Sequence, residues 1–207
     1  MSQMSLFATT PGVSVLVDDE LGRVIHTSGL ISSELAAAWF EELRAVVPWK
    51  AERRRMYDRD VDVPRLTGHF RLGPAEGAAA PEAIHAAAAR VVAATGVPFT
   101  AVGLNFYRDG RDSVAAHNDH LDEIVQGYPI ALLSLGATRR MAIRAKRPPR
   151  RALDVDLAAG SLLVMSYETQ LHYTHGIPKT REPVGERISL AFRVKPARDP
   201  GEDRLYR

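Results

Sequence analysis

Apolar positions recur with one period before about residue 100 and with another after it. Behind Ser32, a residue type that caps helices, Leu35, Trp39, Leu43 and Val46 return at helical spacing, and Pro48 marks the end. A second helix is predicted from Pro81, which suits a first helical position, with Glu82 behind it and Gly96 after its last turn. Ile84, Ala88, Val91 and Val92 supply its buried side. Residues 1–30 read as irregular, apart from two short strands at 13–17 and 24–26 around an acidic turn. From Ala101 the period becomes two. Val102, Leu104 and Phe106 share one face, and Gly103, Asn105 and Tyr107 the other.

Further strands are predicted at 115–119, 130–135, 139–144, 153–157, 161–166, 171–176 and 187–194, separated by Gly and Pro signals. Many short strands in series, with helices only ahead of them, predict an antiparallel sandwich or jelly roll rather than alternating α/β units. The fold class is therefore mainly β with flanking α, in a single domain over 1–207. Residues 49–80 show no sustained period and read as a long irregular connection, which in a domain of this size serves as a binding loop or lid. Met56, Tyr57, His69 and Phe70 either offer that lid's stacking surface or tuck it onto the core.

Composition narrows the chemistry. The chain is 45% apolar and lacks any run long enough to span a membrane or act as a secretory signal, so a cytoplasmic monomer with no membrane partner is expected. Cysteine is absent, which leaves His and carboxylates as metal ligands. The net charge of +2 conceals a basic segment at 139–151, holding Arg139, Arg140, Arg144, Lys146, Arg147, Arg150 and Arg151 without an acid. A second cluster is Arg53, Arg54 and Arg55. Such clusters suit phosphates, although an arginine-rich surface also needs none.

His117 and Asp119, two apart on a predicted strand, point to one face, and His175 follows near the C-terminal end. Two imidazoles and one carboxylate form the facial triad that non-haem Fe(II) oxygenases use, with coordination positions left open. Zinc hydrolysis would accept the same ligands, and a surface His-Asp pair with an unrelated His is the bland alternative. The last strand shifts the balance, because Arg187 and Arg193 share a face with Ser189 and Ala191. Buried arginines need anionic partners, and a small dicarboxylic acid offers two, with Asn105 and Tyr107 as further donors.

Five pieces then stand in a recognisable order: 105-NFYRDG-110, 117-HND-119, 129-PIALLSLG-136, 157-LAAGSLLVM-165, and 175-HGIP-178 with 187-RISLAFR-193. Across about residues 60–195 the chain resembles the AlkB family of Fe(II)- and 2-oxoglutarate-dependent dioxygenases. The resemblance implies a double-stranded β-helix (jelly-roll) core with an N-terminal helical and lid extension, 49–80 being the nucleotide-recognition lid. It implies iron on His117, Asp119 and His175, and 2-oxoglutarate on Asn105, Tyr107, Arg187 (distal carboxylate) and Arg193 (metal-proximal end).

Residues 64-PRLTGHF-70 resemble the lid segment, making Arg65, His69 and Phe70 substrate candidates. The implied reaction is oxidative demethylation of N-alkylated bases in DNA, with RNA as a second substrate. O₂ is the co-substrate, and succinate and formaldehyde are products. Three positions depart from the family pattern. Leu121 stands where an acid near the damaged base is usual, Ala191 where Thr is usual, and Phe70 where Tyr is common. Leu121 keeps open the alternative that the same oxygenase chemistry acts on a protein or small molecule. A binding protein without turnover is disfavoured by the complete set of polar ligands.

Overall fold

Strand 187–193 lies at the centre of the molecule, and its burial shows how the layers are built. The computed structural model describes residues 12–56, 59–73, 79–148 and 150–196, with side chains described outside 54–62. An eight-stranded sheet has the order β1 (Gly12–Asp19), β2 (Gly22–Ser28), β10 (Leu162–Met165), β7 (Ile130–Gly136), β12 (Arg187–Arg193), β5 (Ala101–Tyr107), β4 (Arg59–Arg71), β3 (Lys50–Met56). A second sheet of four strands has the order β6 (Val114–His117), β11 (Tyr173–Ile177), β8 (Arg139–Ala145), β9 (Ala152–Leu157). Each recorded strand pairing is antiparallel. This mostly β, jelly-roll arrangement is the predicted fold class.

Because side chains alternate along a strand, the large sheet serves two cores at once. Leu104, Phe106, Leu133, Ile188, Leu190 and Phe192 face a cluster completed by α1 (Ser33–Val46) and α2 (Glu82–Thr95). Tyr107, Leu132, Leu163 and Ala191 face inward, against Met141, Ile143, Val155 and Leu157 of the small sheet. Among the described residues no helix is long and apolar enough to cross a membrane.

Several elements differ from the sequence expectation. In α1 the buried set is Ala36, Trp39, Phe40 and Leu43, a cleaner i, i+3, i+4, i+7 face than the one predicted, and Val46 is exposed. In α2, Ala83, Ile84, Ala87 and Val91 are buried, Val92 is exposed, and Pro81 caps the helix from outside. The Ser32 cap is present, its hydroxyl accepting from Leu35 N at 3.3 Å. Gly96 ends α2 in the left-handed conformation, at φ 69°.

The stretch 49–80 brings the largest correction: most of its described residues lie in two strands rather than in an irregular connection. β3 and β4 form an antiparallel hairpin that extends the large sheet beyond β5. Its many charged residues hid the alternation, because β3 is the edge strand of the large sheet and has little apolar content. Met56 and Tyr57 side chains lie outside the described residues. Helices also do not all precede the strands. A short helix, α3 (Tyr167–His172), takes the start of the strand expected at 171–176, and a 3-10 turn covers Leu121–Glu123.

Candidate metal and co-substrate site

β6 and β11 are neighbours in the small sheet, and His175 pairs in register with His117. That pairing brings two imidazoles together across 58 residues of chain, with ring centroids 4.5 Å apart. Asp119 lies past the end of β6, so it does not reach the site by strand alternation as the sequence suggested. Its placement comes from two contacts. The side-chain oxygen of Gln170 on α3, Oε1, accepts from Asp119 N at 3.1 Å, and Arg193 Nε donates to Asp119 Oδ2 at 2.6 Å. The second carboxylate oxygen, Oδ1, is then left facing His117 Nε2 at 3.8 Å and His175 Nε2 at 4.0 Å.

These three ligand atoms lie within 4.8 Å of one another, a spacing that one cation can fill. The protonation states suit it. His117 Nδ1 lies 2.9 Å from Ala115 O, and a carbonyl only accepts, so Nδ1 donates to it and Nε2 is the nitrogen available to a metal. Burial pushes the His175 imidazole down to about 4, helped by the charges of His117 and Arg193 against the pull of Asp119. Burial alone would raise the Asp119 carboxyl, but Arg193 and the two imidazoles outweigh it and hold it below its ordinary value. Near neutral pH the cluster therefore offers a neutral His175 imidazole and the Asp119 carboxylate, with His117 Nε2 turned toward the same point.

A pH prediction follows for the metal-free protein. His175 has a lower pKa folded than unfolded, so the native state binds fewer protons below about pH 6.5, and stability falls as pH drops towards about 4. The loss attributable to His175 is about 3 kcal/mol across that window. Urea unfolding at a series of pH values, with His175→Gln as the comparison, should show a flatter profile in the variant.

His117, Asp119 and His175 line a cavity of about 1390 Å³, whose wall also includes Asn105, Tyr107 and Arg193. Arg187 is fully buried one side chain behind that wall, its guanidinium carbon 5.2 Å from the Tyr107 ring centroid. Nη2 donates to Ser134 Oγ at 2.9 Å, whereas Nε and Nη1 have no hydrogen-bond partner among the described residues. Burial pushes its pKa down, offset in part by Tyr107. A buried cation with two unpaired donors implies an anionic partner that arrives from outside the chain. A carboxylate accepting two N–H bonds meets that need.

A family model described as the 2OG-Fe(II) oxygenase superfamily matches residues 23–193. The chain belongs to this superfamily. Among the curated relatives, the chain is similar to a Bos taurus protein named "DNA oxidative demethylase ALKBH2", at 39% identity over 111 residues, or 50% of this chain and 40% of that protein. It is also similar to the Rattus norvegicus "Alpha-ketoglutarate-dependent dioxygenase alkB homolog 3", at 30% identity over 190 residues, 84% of this chain and 64% of the relative. The human protein of the latter name matches at 30% over 193 residues. The chain thus spans under half the length of the first relative and just under two thirds of the second. Within the superfamily it is an AlkB-like oxygenase.

The donor set of this 2OG oxygenase fits Fe(II) and 2-oxoglutarate. His117, Asp119 and His175 form a His₂-carboxylate cluster, and the orphaned donors of Arg187 suit the end of a dicarboxylate. The remaining predicted residues fall in different places. Arg193 is engaged with Asp119, so it orients a metal ligand as well as lining the cavity. Arg65 and His69 line the cavity from β4. Phe70 borders it yet packs against the core beneath the helices, because it shares the sheet face of Leu104 and Phe106.

Leu121 packs against the inner core and does not line the cavity; of the turn 121–123 it is Glu123 that does, held by Lys195 Nζ at 2.8 Å. The basic segment at 139–151 is largely committed within the fold. Arg139 donates to three backbone carbonyls at 2.8–3.0 Å, Arg140 pairs with Asp156, Arg144 with Asp154, Arg151 with Asp19, and Lys146 reaches Gln170 O. The sequence clusters cations that the fold distributes among carboxylates of neighbouring strands. Ser134 and Gln170 were missed in the sequence, as nothing near either residue marks it as a site residue.

Proposed function

We propose that this chain oxidatively demethylates N-alkylated bases in DNA, with RNA as a second substrate, while converting 2-oxoglutarate to succinate. The observation that carries the reading is the buried Arg187 with two unpaired donors, placed behind the cavity that the His117, Asp119 and His175 ligand atoms share. The names of the relatives support the substrate class.

In this reading His117, Asp119 and His175 hold Fe(II). Asn105, Tyr107 and Arg187 hold 2-oxoglutarate, whose distal carboxylate meets Arg187. Together the metal and co-substrate supply oxidation of the N-alkyl carbon by O₂, releasing CO₂ and succinate. The protein's own groups position and protect. Arg193 fixes the Asp119 carboxylate, Ala115 O fixes the His117 tautomer, and Gln170 fixes the backbone between them. Leu132, Met141 and Ala191 make the adjoining wall apolar, which limits water at the reacting carbon. The target base must leave the stack to enter, and the β3–β4 hairpin flanks its route, so 49–80 acts as the recognition element.

A second reading, the same chemistry on a protein or small molecule, draws on the absence of the usual acid at Leu121. Succinate release separates the two. With Fe(II), 2-oxoglutarate and O₂ present, an oligonucleotide bearing N-methylated bases should stimulate it about tenfold or more over the unmethylated strand, with no response to an N-methylated peptide. The opposite pattern favours the second reading.

A further inference from the structure

Arg65 was expected to face the nucleic acid, but its recorded side-chain contact points elsewhere. Arg65 Nε donates to Asn105 Oδ1 at 2.6 Å, a short charge-assisted hydrogen bond between the hairpin and the strand beside it. The register explains the contact. Thr67 stands opposite Asn105 and Leu66 opposite Phe106, so Arg65 is two residues along β4 on the Asn105 face, within diagonal reach. Arg65, Asn105 and Tyr107 all line the cavity.

The contact also fixes which end of the amide is which. A guanidinium only donates, so Oδ1 must face Arg65 and the NH₂ group of Asn105 must face away from it. Without Arg65 no contact recorded among the described residues on this face of the hairpin holds the acceptor end of the amide away from an anionic ligand, and the ligand must itself supply the cost of ordering the group. Thr67 is itself held, donating to Glu52 at 2.7 Å, so the same face of the hairpin is tied to β3.

We infer that Arg65 is a positioning residue for the co-substrate: it turns the Asn105 amide so that NH₂ is presented to 2-oxoglutarate, and so links co-substrate affinity to the β3–β4 hairpin. The inference rests on the reading of Asn105 as a 2-oxoglutarate residue. It assigns Arg65 a role that does not require nucleic acid. Tyr107 feels the same guanidinium, whose charge opposes the rise that burial imposes on the phenol.

The test is calorimetric titration of 2-oxoglutarate into Mn(II)-loaded protein without nucleic acid, for the parent, Arg65→Ala, Arg65→Lys, Asn105→Ala and the Arg65→Ala/Asn105→Ala double variant. Arg65→Ala should weaken 2-oxoglutarate about tenfold, with Mn(II) affinity and the ligand-free thermal midpoint unchanged. Arg65→Lys should recover part of that loss. The double variant should bind no more weakly than Asn105→Ala alone, since each removes the same arrangement. Additive losses, or parental 2-oxoglutarate affinity in Arg65→Ala, overturn the inference; the latter with reduced oligonucleotide turnover makes Arg65 a substrate residue. Parental affinity in Asn105→Ala instead removes the co-substrate assignment of Asn105, and the link to Arg65 with it.

Discussion

Asp119→Ala should lower divalent-metal affinity by about 100-fold or more and abolish 2-oxoglutarate turnover, the largest loss expected of any single substitution in this chain. Asp119 supplies the only carboxylate oxygen in the three-residue cluster, so its removal leaves two imidazoles and no anionic ligand. It also releases Arg193, whose Nε now donates to Asp119 Oδ2 at 2.6 Å, and leaves that cation beside the place where a metal ion would sit. Asp119→Asn separates the two effects. The amide oxygen can still accept from Arg193, so local geometry should persist while metal affinity remains strongly reduced. Mn(II) titration followed by electron paramagnetic resonance measures free metal directly. Near-parental affinity in both variants would place the metal elsewhere.

Arg187→Met should move stability and co-substrate binding in opposite directions. In the ligand-free chain Arg187 is a fully buried cation with Nε and Nη1 unpaired, a costly arrangement that an apolar side chain of similar length relieves. The variant loses one hydrogen bond to Ser134, so the net gain in unfolding free energy should be about 1–2 kcal/mol. At the same time the affinity for 2-oxoglutarate should fall about 100-fold, because the distal carboxylate loses a charge-assisted pair in a buried site. Urea unfolding without ligand and calorimetry with 2-oxoglutarate read the two quantities separately. A destabilised variant that still binds 2-oxoglutarate normally would make Arg187 a structural residue.

Much of the site was legible because its residues carry strong local signals. His-x-Asp, a late His and two arginines on one strand face are unusual in combination, and the pairing of β6 with β11 brings the two histidines face to face. The period-two pattern of β5 likewise sorted Asn105 and Tyr107 from Leu104 and Phe106. What stayed hidden depends on partners distant in sequence. Gln170 reads as an ordinary polar residue until α3 places it under Asp119 N. The 139–151 run reads as either a phosphate surface or a solvated arginine face until β8 pairs with β9 and sets Arg140 and Arg144 beside Asp156 and Asp154. The β3–β4 hairpin escaped notice because an edge strand needs no buried alternation, and Phe70, left open between cavity and core, both borders the cavity and packs on the core. Leu121, marked in the sequence as the departure most relevant to substrate choice, turns its side chain to the core, which moves attention to Glu123.

The most direct test of the central claim is a product balance on a short DNA strand with a single N-methylated base, incubated with Fe(II), 2-oxoglutarate and O₂. Succinate, formaldehyde and the restored base should appear in equal amounts, and Asp119→Ala should give none of them. Succinate formed while the methylated base remains intact would contradict the account.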